Sequence, residues 1–281
     1  MGIRLSANNY GKSRVRMVQV VRGRERNHLK DISVNIQFSG DFDAAHIKGD
    51  NRKILPTDTM KNTVYALAAE CPADPIEDFA SKLSRHFLRN NPQLASVRVE
   101  ITENLWTSIL IGKKLHPTSF MRAGQEKRTT AVIATCSQLR IESGIDDLLV
   151  MKTANSAFDG FLRDAFTTLP ETRDRLLATV VRAAWRYRGD RAPFDACWIQ
   201  VRETILAVFA QHKSESVQHT LYAMGEAVLK RQKAIDEIRF SLPNKHCLLV
   251  DLSRFGLRNN NEIFVPMDEP HGLIEATLRR T

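Results

Sequence analysis

Two hydrophobic periods alternate along this chain of 281 residues, in an order that occurs twice. In the first half, residues 13–22 place Val15 and Met17 against Arg14 and Arg16, and Ile32, Val34, Ile36 and Phe38 recur at period two from Asp31 to Phe38. Both stretches predict strands. Met60, Val64, Leu67 and Cys71 then share one helical face, predicting a helix from Thr57 or Asp58 to about Glu70. Thr57, Asp58 and Thr59 offer three capping side chains after Pro56, and Cys71-Pro72 stops the helix. Asp74 and Pro75 are the expected N-cap and first residue of a second helix, striped by Ile76, Phe79, Leu83 and Phe87. Strands are expected at Ser96–Thr102, Leu105–Gly112 and Thr129–Ile141.

The second half repeats the order without obvious sequence identity. Strands are predicted at Leu148–Thr153 and Ala178–Tyr187, helices at Phe194–Gln211 and Ser216–Gln232, and closing strands at Ile235–Leu242 and Cys247–Leu252. Strand–strand–helix–helix–strand–strand, twice, implies an α+β protein of two like units, residues 1–142 and 143–281. An antiparallel sheet with both helices on one face buries only that face, so its other face and edges need partners. Oligomerisation follows.

Hydrophobic content of 43% with mixed charge places the chain in the globular class. Lys and Arg outnumber Asp and Glu by 41 to 32, giving +9, which steers anions or nucleic acid. The densest basic patch, Arg14, Arg16, Arg22, Arg24 and Arg26, carries no RNA-reading aromatic motif, so a nucleic-acid scaffold is the weaker reading. The eight histidines make no His-x-x-x-His or Cys/His cluster, so no metal site is expected, and the absence of a Gly-x-Gly-x-x-Gly loop argues against a nucleotide cofactor. Cys71, Cys136, Cys197 and Cys247 form no close pair and are expected to be buried thiols in a reducing compartment. No membrane-spanning run or signal peptide is visible, and Leu278-Arg279-Arg280-Thr281 is not a peroxisomal tripeptide, so the cytoplasm is expected.

Four ordered blocks carry a more specific signal. They are Asn9-Tyr10-Gly11-Lys12-Ser13-Arg14; Asn51 to Tyr65 with Pro-Thr-Asp-Thr-x-Lys-Asn-Thr-Val-Tyr inside it; Lys152 through Ser156-Ala157-Phe158 to Arg175; and Ser216-Val217-Gln218 followed by Ser241-Leu242-Pro243-Asn244-Lys245-His246. Together they resemble the urate oxidase family, and the likeness covers nearly the whole chain. It implies two tandem tunnelling-fold (T-fold) units that assemble into barrels as a homotetramer, with active sites at subunit interfaces and no cofactor beyond the co-substrates O2 and water. The implied activity is oxidation of urate to 5-hydroxyisourate and hydrogen peroxide.

By the same resemblance Phe158 stacks on the flat purine. Arg175 and Gln218 bind its edge, Val217 adds a backbone contact, and Asn244 holds oxygen or water above the ring. Lys12 and Thr57 match a proton-accepting pair, His246 completes the relay, and Asp58 presents its backbone N–H at a helix start. The chemistry of these types fits: an arginine fork donates two parallel bonds, and an amide offers donor and acceptor together. Lys12 and Thr57 are expected to serve a neighbouring subunit's pocket. Asp159 after Phe158 and Pro170 depart from the family pattern at positions outside the matched site. Pterin or other purine enzymes of the same fold group need metal ligands or a glutamate anchor, and no suitable His/Cys set is present.

Overall fold

The computed structural model describes residues 2–281. Among them, the elements run β1 (Tyr10–Val21), β2 (His28–Gly40), α1 (Asp43–Lys48), α2 (Thr57–Glu70), α3 (Ile76–Asn90), β3 (Leu94–Ile111), β4 (Lys114–Ala134), β5 (Leu139–Lys152), β6 (Leu177–Tyr187), α4 (Phe194–Gln211), α5 (Val217–Arg231), β7 (Ile235–Leu249) and β8 (Phe264–Arg279). Each strand pairs with the next in the chain. The structure divides into two compact units, one reaching to Gly144 and including Arg186–Asp195, the other Ile145–Trp185 with Ala196–Thr281.

In the first unit the antiparallel register sets Ile36 opposite Val99 and Val99 opposite Val132, with Val34 opposite Ile101. These five side chains are buried. Helix α3 closes over β3 and β4 with Ile76, Phe79, Ala80, Leu83 and Phe87, the apolar side of a 3.6-residue period. Helix α2 lies against β1 and α3 through Met60, Val64, Leu67 and Ala68. Beneath α3 sits a buried charge. Glu77 is fully buried, accepts from Arg128 at 2.7 Å and from Ser143, and Arg128 also reaches Asp195. Tyr187 donates to Ser143 at 3.1 Å. Burial pushes the Glu77 carboxyl up, and Arg128 and Ser143 oppose the shift.

In the second unit β7 and β8 pair as Ile238 with Leu278, Phe240 with Ala276 and Leu242 with Ile274. Helix α5 packs on both strands with Val217, Leu221, Met224 and Val228 buried. A Cβ on Gly225 would stand 2.8 Å from the Leu278 methyls, so the helix lies tight on β8. Helix α4 buries Trp198, Val201, Ile205 and Phe209. Among the described residues no helix is long and apolar enough to cross a membrane.

Several expectations shift. Pro56 is the N-cap of α2 and makes no side-chain bond, so Thr57 is the first helical residue instead of a cap. Pro75 caps α3 one residue later than expected, and the Asp74 carboxylate pairs with Lys30 at 2.8 Å instead of capping the helix. The two strands expected before Gly112 are the single β3, whose polar Glu103-Asn104 marks a register irregularity before Trp106 and not a turn. The strand expected at Thr129–Ile141 is instead the end of β4, a turn and the start of β5. Thr135 N–H donates to the Gln138 carbonyl and Gln138 N–H to the Thr135 hydroxyl, and this local pairing reverses the chain. Leu148–Lys152 then belongs to the same β5. Residues 247–249 extend β7, and the closing strand is β8. Helix α1 buries none of its residues, so it left no apolar period to read. Of the cysteines only Cys197 is buried; Cys136 is exposed and the other two are intermediate.

Replacing Glu77 by Leu takes from Arg128 its buried carboxylate, leaving it the half-exposed Asp195, and is expected to destabilise the protein by about 3 kcal/mol. Glu77→Leu combined with Arg128→Met should recover most of that loss. Denaturant midpoints of the three proteins check both expectations.

Candidate active site

The first unit assembles the residues at the start of β1 and of α2. The Tyr10 hydroxyl accepts from the Leu55 N–H at 2.9 Å, joining the strand to the loop that enters α2. Its ring stands edge-on to Phe38 and Phe42, with centroids 5.8 and 4.8 Å away. Gly11 follows where no side chain fits, since a Cβ would lie 1.8 Å from the Ile36 carbonyl oxygen. The ladder is irregular between Lys12 and Val15, and Arg14 adopts a left-handed φ of 57° with its N–H on the Asn35 side chain. An irregularity of this kind re-aims a side chain. Lys12 is half-buried here, close enough to Asp58 for its charge to act on that carboxylate.

Asp58 is exposed on the first turn of α2. Its carboxyl is held below the ordinary range, first by the hydrogen bond and charge of Lys61, then by Asn62 and by the Lys12 charge. The Thr57 hydroxyl makes no hydrogen bond within the chain among the described residues. The orphan N–H groups of this first turn give the helix start a partial positive charge.

The second unit builds its part from segments outside named strands. Ser156 and Ser214 form a parallel bridge, with Ala157 N–H on the Ser214 carbonyl at 2.7 Å and Ser214 N–H on the Asn155 carbonyl at 3.0 Å. Phe158 and Thr172 exchange two antiparallel hydrogen bonds of 2.7 and 3.0 Å. Arg175 N–H donates to the Ser156 carbonyl at 2.9 Å, which sets its guanidinium carbon 5.2 Å from the centre of the Phe158 ring. Partial burial lowers the Arg175 pKa but leaves the group a cation, and its Nε has no hydrogen-bond partner among the described residues.

The same Ser214 ties this pair to α5. Its hydroxyl donates to the Ser216 carbonyl at 3.0 Å and accepts from Thr220 at 2.8 Å, and both Ser214 and Thr220 are buried. Ser216 caps α5 by accepting from His219 N–H, leaving Val217 buried and Gln218 exposed at the first turn. One network thus links Phe158, Arg175, Val217 and Gln218. Asn244 and His246 flank an irregularity in β7, opposite Gly272 and Met267 of β8; they are half-buried. A cavity of about 620 Å³ beside α5 and β8 is bordered by Gln218 and by no other expected site residue. Among the described residues no group of three or more His, Cys, Asp or Glu is placed to hold a metal ion.

Sequence reasoning missed Ser214 and Thr220. Their one visible sign was a Ser-x-Ser pair just ahead of a helix. It also missed the His212 and His219 rings, which meet at 4.4 Å behind the start of α5.

The element order strand–strand–helices–strand–strand, met twice, with polar side chains gathered at strand and helix starts, makes this an α+β protein of the tunnelling-fold class. The sequence profile of the Uricase family matches residues 8–133 and 141–275. The chain belongs to the uricase family. Uricase from Arthrobacter globiformis is 44% identical over 276 residues, covering 98% of this chain and 90% of that protein. Uricase from Dictyostelium discoideum is 38% identical over 277 residues, covering 98% and 96%. The crystal structure of the Arthrobacter globiformis uricase superposes with a TM-score of 0.94 at 43% identity, over 100% of this chain and 96% of that one. A uricase structure from Bacillus fastidious, 23% identical, shares the fold with a TM-score of 0.84 over 98% and 94%.

Burial, then the His219 ring and the Lys152 charge, push His212 below its ordinary value of 6.5, with Glu215 opposing. The unfolded chain therefore binds that proton more readily, and the stability tied to neutral His212 is lost as pH falls below about 6.5. His212→Asn should flatten the fall in thermal midpoint that the unaltered protein shows between about pH 7.5 and 5.5. An unchanged slope in a scanning calorimeter would remove His212 from the account.

Proposed function

We infer that this chain oxidises urate with O2 and water to 5-hydroxyisourate and hydrogen peroxide, the first step of urate degradation. Two electrons pass from the purine to dioxygen, which leaves as hydrogen peroxide, and the oxygen of water becomes the new hydroxyl. The observation that carries the reading is the Phe158–Arg175 pair, fixed by backbone bonds on both sides, in a chain whose two halves both match the uricase profile. A flat anion needs a ring face and an in-plane cation, and this pair offers both.

The residue roles extend that reading. Phe158 stacks on the purine, the Arg175 fork and the Gln218 amide bind its edge, and the Val217 backbone completes the in-plane contacts. Lys12 Nζ accepts the proton whose removal makes the purine rich enough to give up an electron, drawing it through the Thr57 hydroxyl, and His246 relays it onward. Asn244 holds oxygen or water above the ring. The backbone N–H of Asp58 meets the substrate at the positive end of α2. No bound cofactor is part of the reading.

Lys12, Thr57 and Asp58 of one chain serve the pocket of a second, in a homotetramer whose paired two-unit chains close into barrels. Support comes from the outward apolar side chains of β1 and β8, among them Val18, Val20, Val265 and Leu273. Four free thiols fit a cytoplasmic location.

Mixed with urate, the purified protein should abolish the ultraviolet absorbance of urate and release hydrogen peroxide, with chelators without effect. Lys12→Met should lower turnover by about a hundredfold or more. Turnover near that of the unaltered protein would strip Lys12 of its role. A shared pocket also has a direct consequence: tetramers reassembled from inactive Thr57→Ala and inactive Arg175→Ala chains should regain part of the activity. No recovery in well-mixed tetramers would confine the site to a single chain.

A further inference from the structure

The Phe158 ring has a neighbour that the proposed chemistry leaves unused. Phe161 lies nearly parallel to it, 16° off, with centroids 4.9 Å apart, an offset stack. Arg163 places its guanidinium carbon 5.2 Å from the centre of Phe161, the same separation as Arg175 from Phe158. Contacts therefore pass from Arg163 to Phe161 to Phe158 to Arg175, two rings flanked by two cations.

The backbone sets this contact in advance. Gly160 takes a left-handed φ of 65°, which turns the chain so that rings three residues apart face each other. Its N–H donates to Glu171 at 3.3 Å, and Asp159 pairs with Arg173 at 3.2 Å, so both residues between the rings are tied to the segment that also holds Phe158. Phe161 is only half-buried, in a stretch where Leu162, Arg163, Asp164 and Phe166 are exposed. Its aromatic partner is Phe158 and its cation partner Arg163.

We propose that Phe161 is a positioning residue that backs Phe158 and fixes the plane on which the purine stacks. This rests on the reading of Phe158 as the stacking face. A phenyl ring has two faces; Phe161 lies along one, and the purine would share the ring with the Arg175 guanidinium, 5.2 Å from its centre. A ring free to swing would have to be ordered when the ligand binds, and that loss would weaken affinity. Backed by Phe161, which Arg163 steadies in turn, the ring is ordered before substrate arrives. The effect falls on binding, because Phe161 touches neither the proton relay nor the oxygen position.

The test is calorimetric titration of the full-length protein with urate under nitrogen, where turnover stops, followed by kcat at saturating urate in air. Phe161→Leu should weaken urate binding about three- to tenfold while kcat stays within about twofold. Phe161→Tyr keeps the ring and should remain within about twofold of the unaltered protein in both. Arg163→Gln, at an exposed position where folding is not at stake, should weaken binding about two- to fivefold. Phe161→Leu binding urate as tightly as the unaltered protein, or more tightly, overturns the proposal, the second result because the ring would then be obstructing the substrate's face. Should Phe161→Leu fail to fold, unchanged binding in Arg163→Gln overturns it equally. Unaltered protein that neither binds nor oxidises urate overturns the proposed function and this inference together; active protein with a silent Phe161 overturns only the latter.

Discussion

Helices laid over one face of an antiparallel sheet decide most of what this chain can do. In β2, Ile32, Val34, Ile36 and Phe38 are fully buried while Ser33, Asn35 and Gln37 are not, so the strand has an inside and an outside. Helix α3 seals the inside, and α5 does the same over β7 and β8. The strands that begin and end the pairing order, β1 and β8, turn apolar side chains outward. A sheet of this construction is stable on one side and unfinished on the other. The proposed site shared between chains suits such a fold, because an unfinished surface can receive the side chains of a second chain.

Within that frame the two buried polar systems do different work. Glu77 and Arg128 are deep under α3, joined by Ser143 and Tyr187, and they hold a helix to strands. Their ionic character adds little net stability relative to an apolar pair, but either group alone would be a buried charge short of an opposite charge it now faces. Ser214 and Thr220 are neutral, and they hold segments that have no ladder of their own. Five backbone hydrogen bonds between 155–158 and 172–214 replace the sheet that such a loop lacks. The Phe158 ring owes its position to these bonds, since the loop that follows carries exposed Leu162 and Phe166.

The sequence was most legible where burial is periodic. The helices Thr57–Glu70 and Phe194–Gln211 stand where their stripes predict, and the strand through Ile32 to Phe38 is as expected apart from its ends. Legibility fails where burial stops. Strand β8 is almost wholly exposed, so its residues show no alternation, and the turn at Thr135–Gln138 is written in one hydroxyl contact between two strands of similar composition. The start of α3 slipped by a residue at Pro75, and at both Pro56 and Pro75 proline took the cap position without a side-chain bond. The site residues came from motif likeness, not from period; Ser214, Thr220 and Phe161 share no pattern with one another and emerge only when chain segments are placed side by side.

The blank at position 11 has a wider meaning. Beside Lys12, a single methyl would collide with the Ile36 carbonyl oxygen and prise β1 from β2 just where the lysine takes its direction. Variation in the residue preceding the lysine is thus closed off by backbone geometry, however tolerant the chemistry. The lysine and the emptiness next to it form one structural unit: a chain that lost the glycine would misdirect the amine without ever touching it.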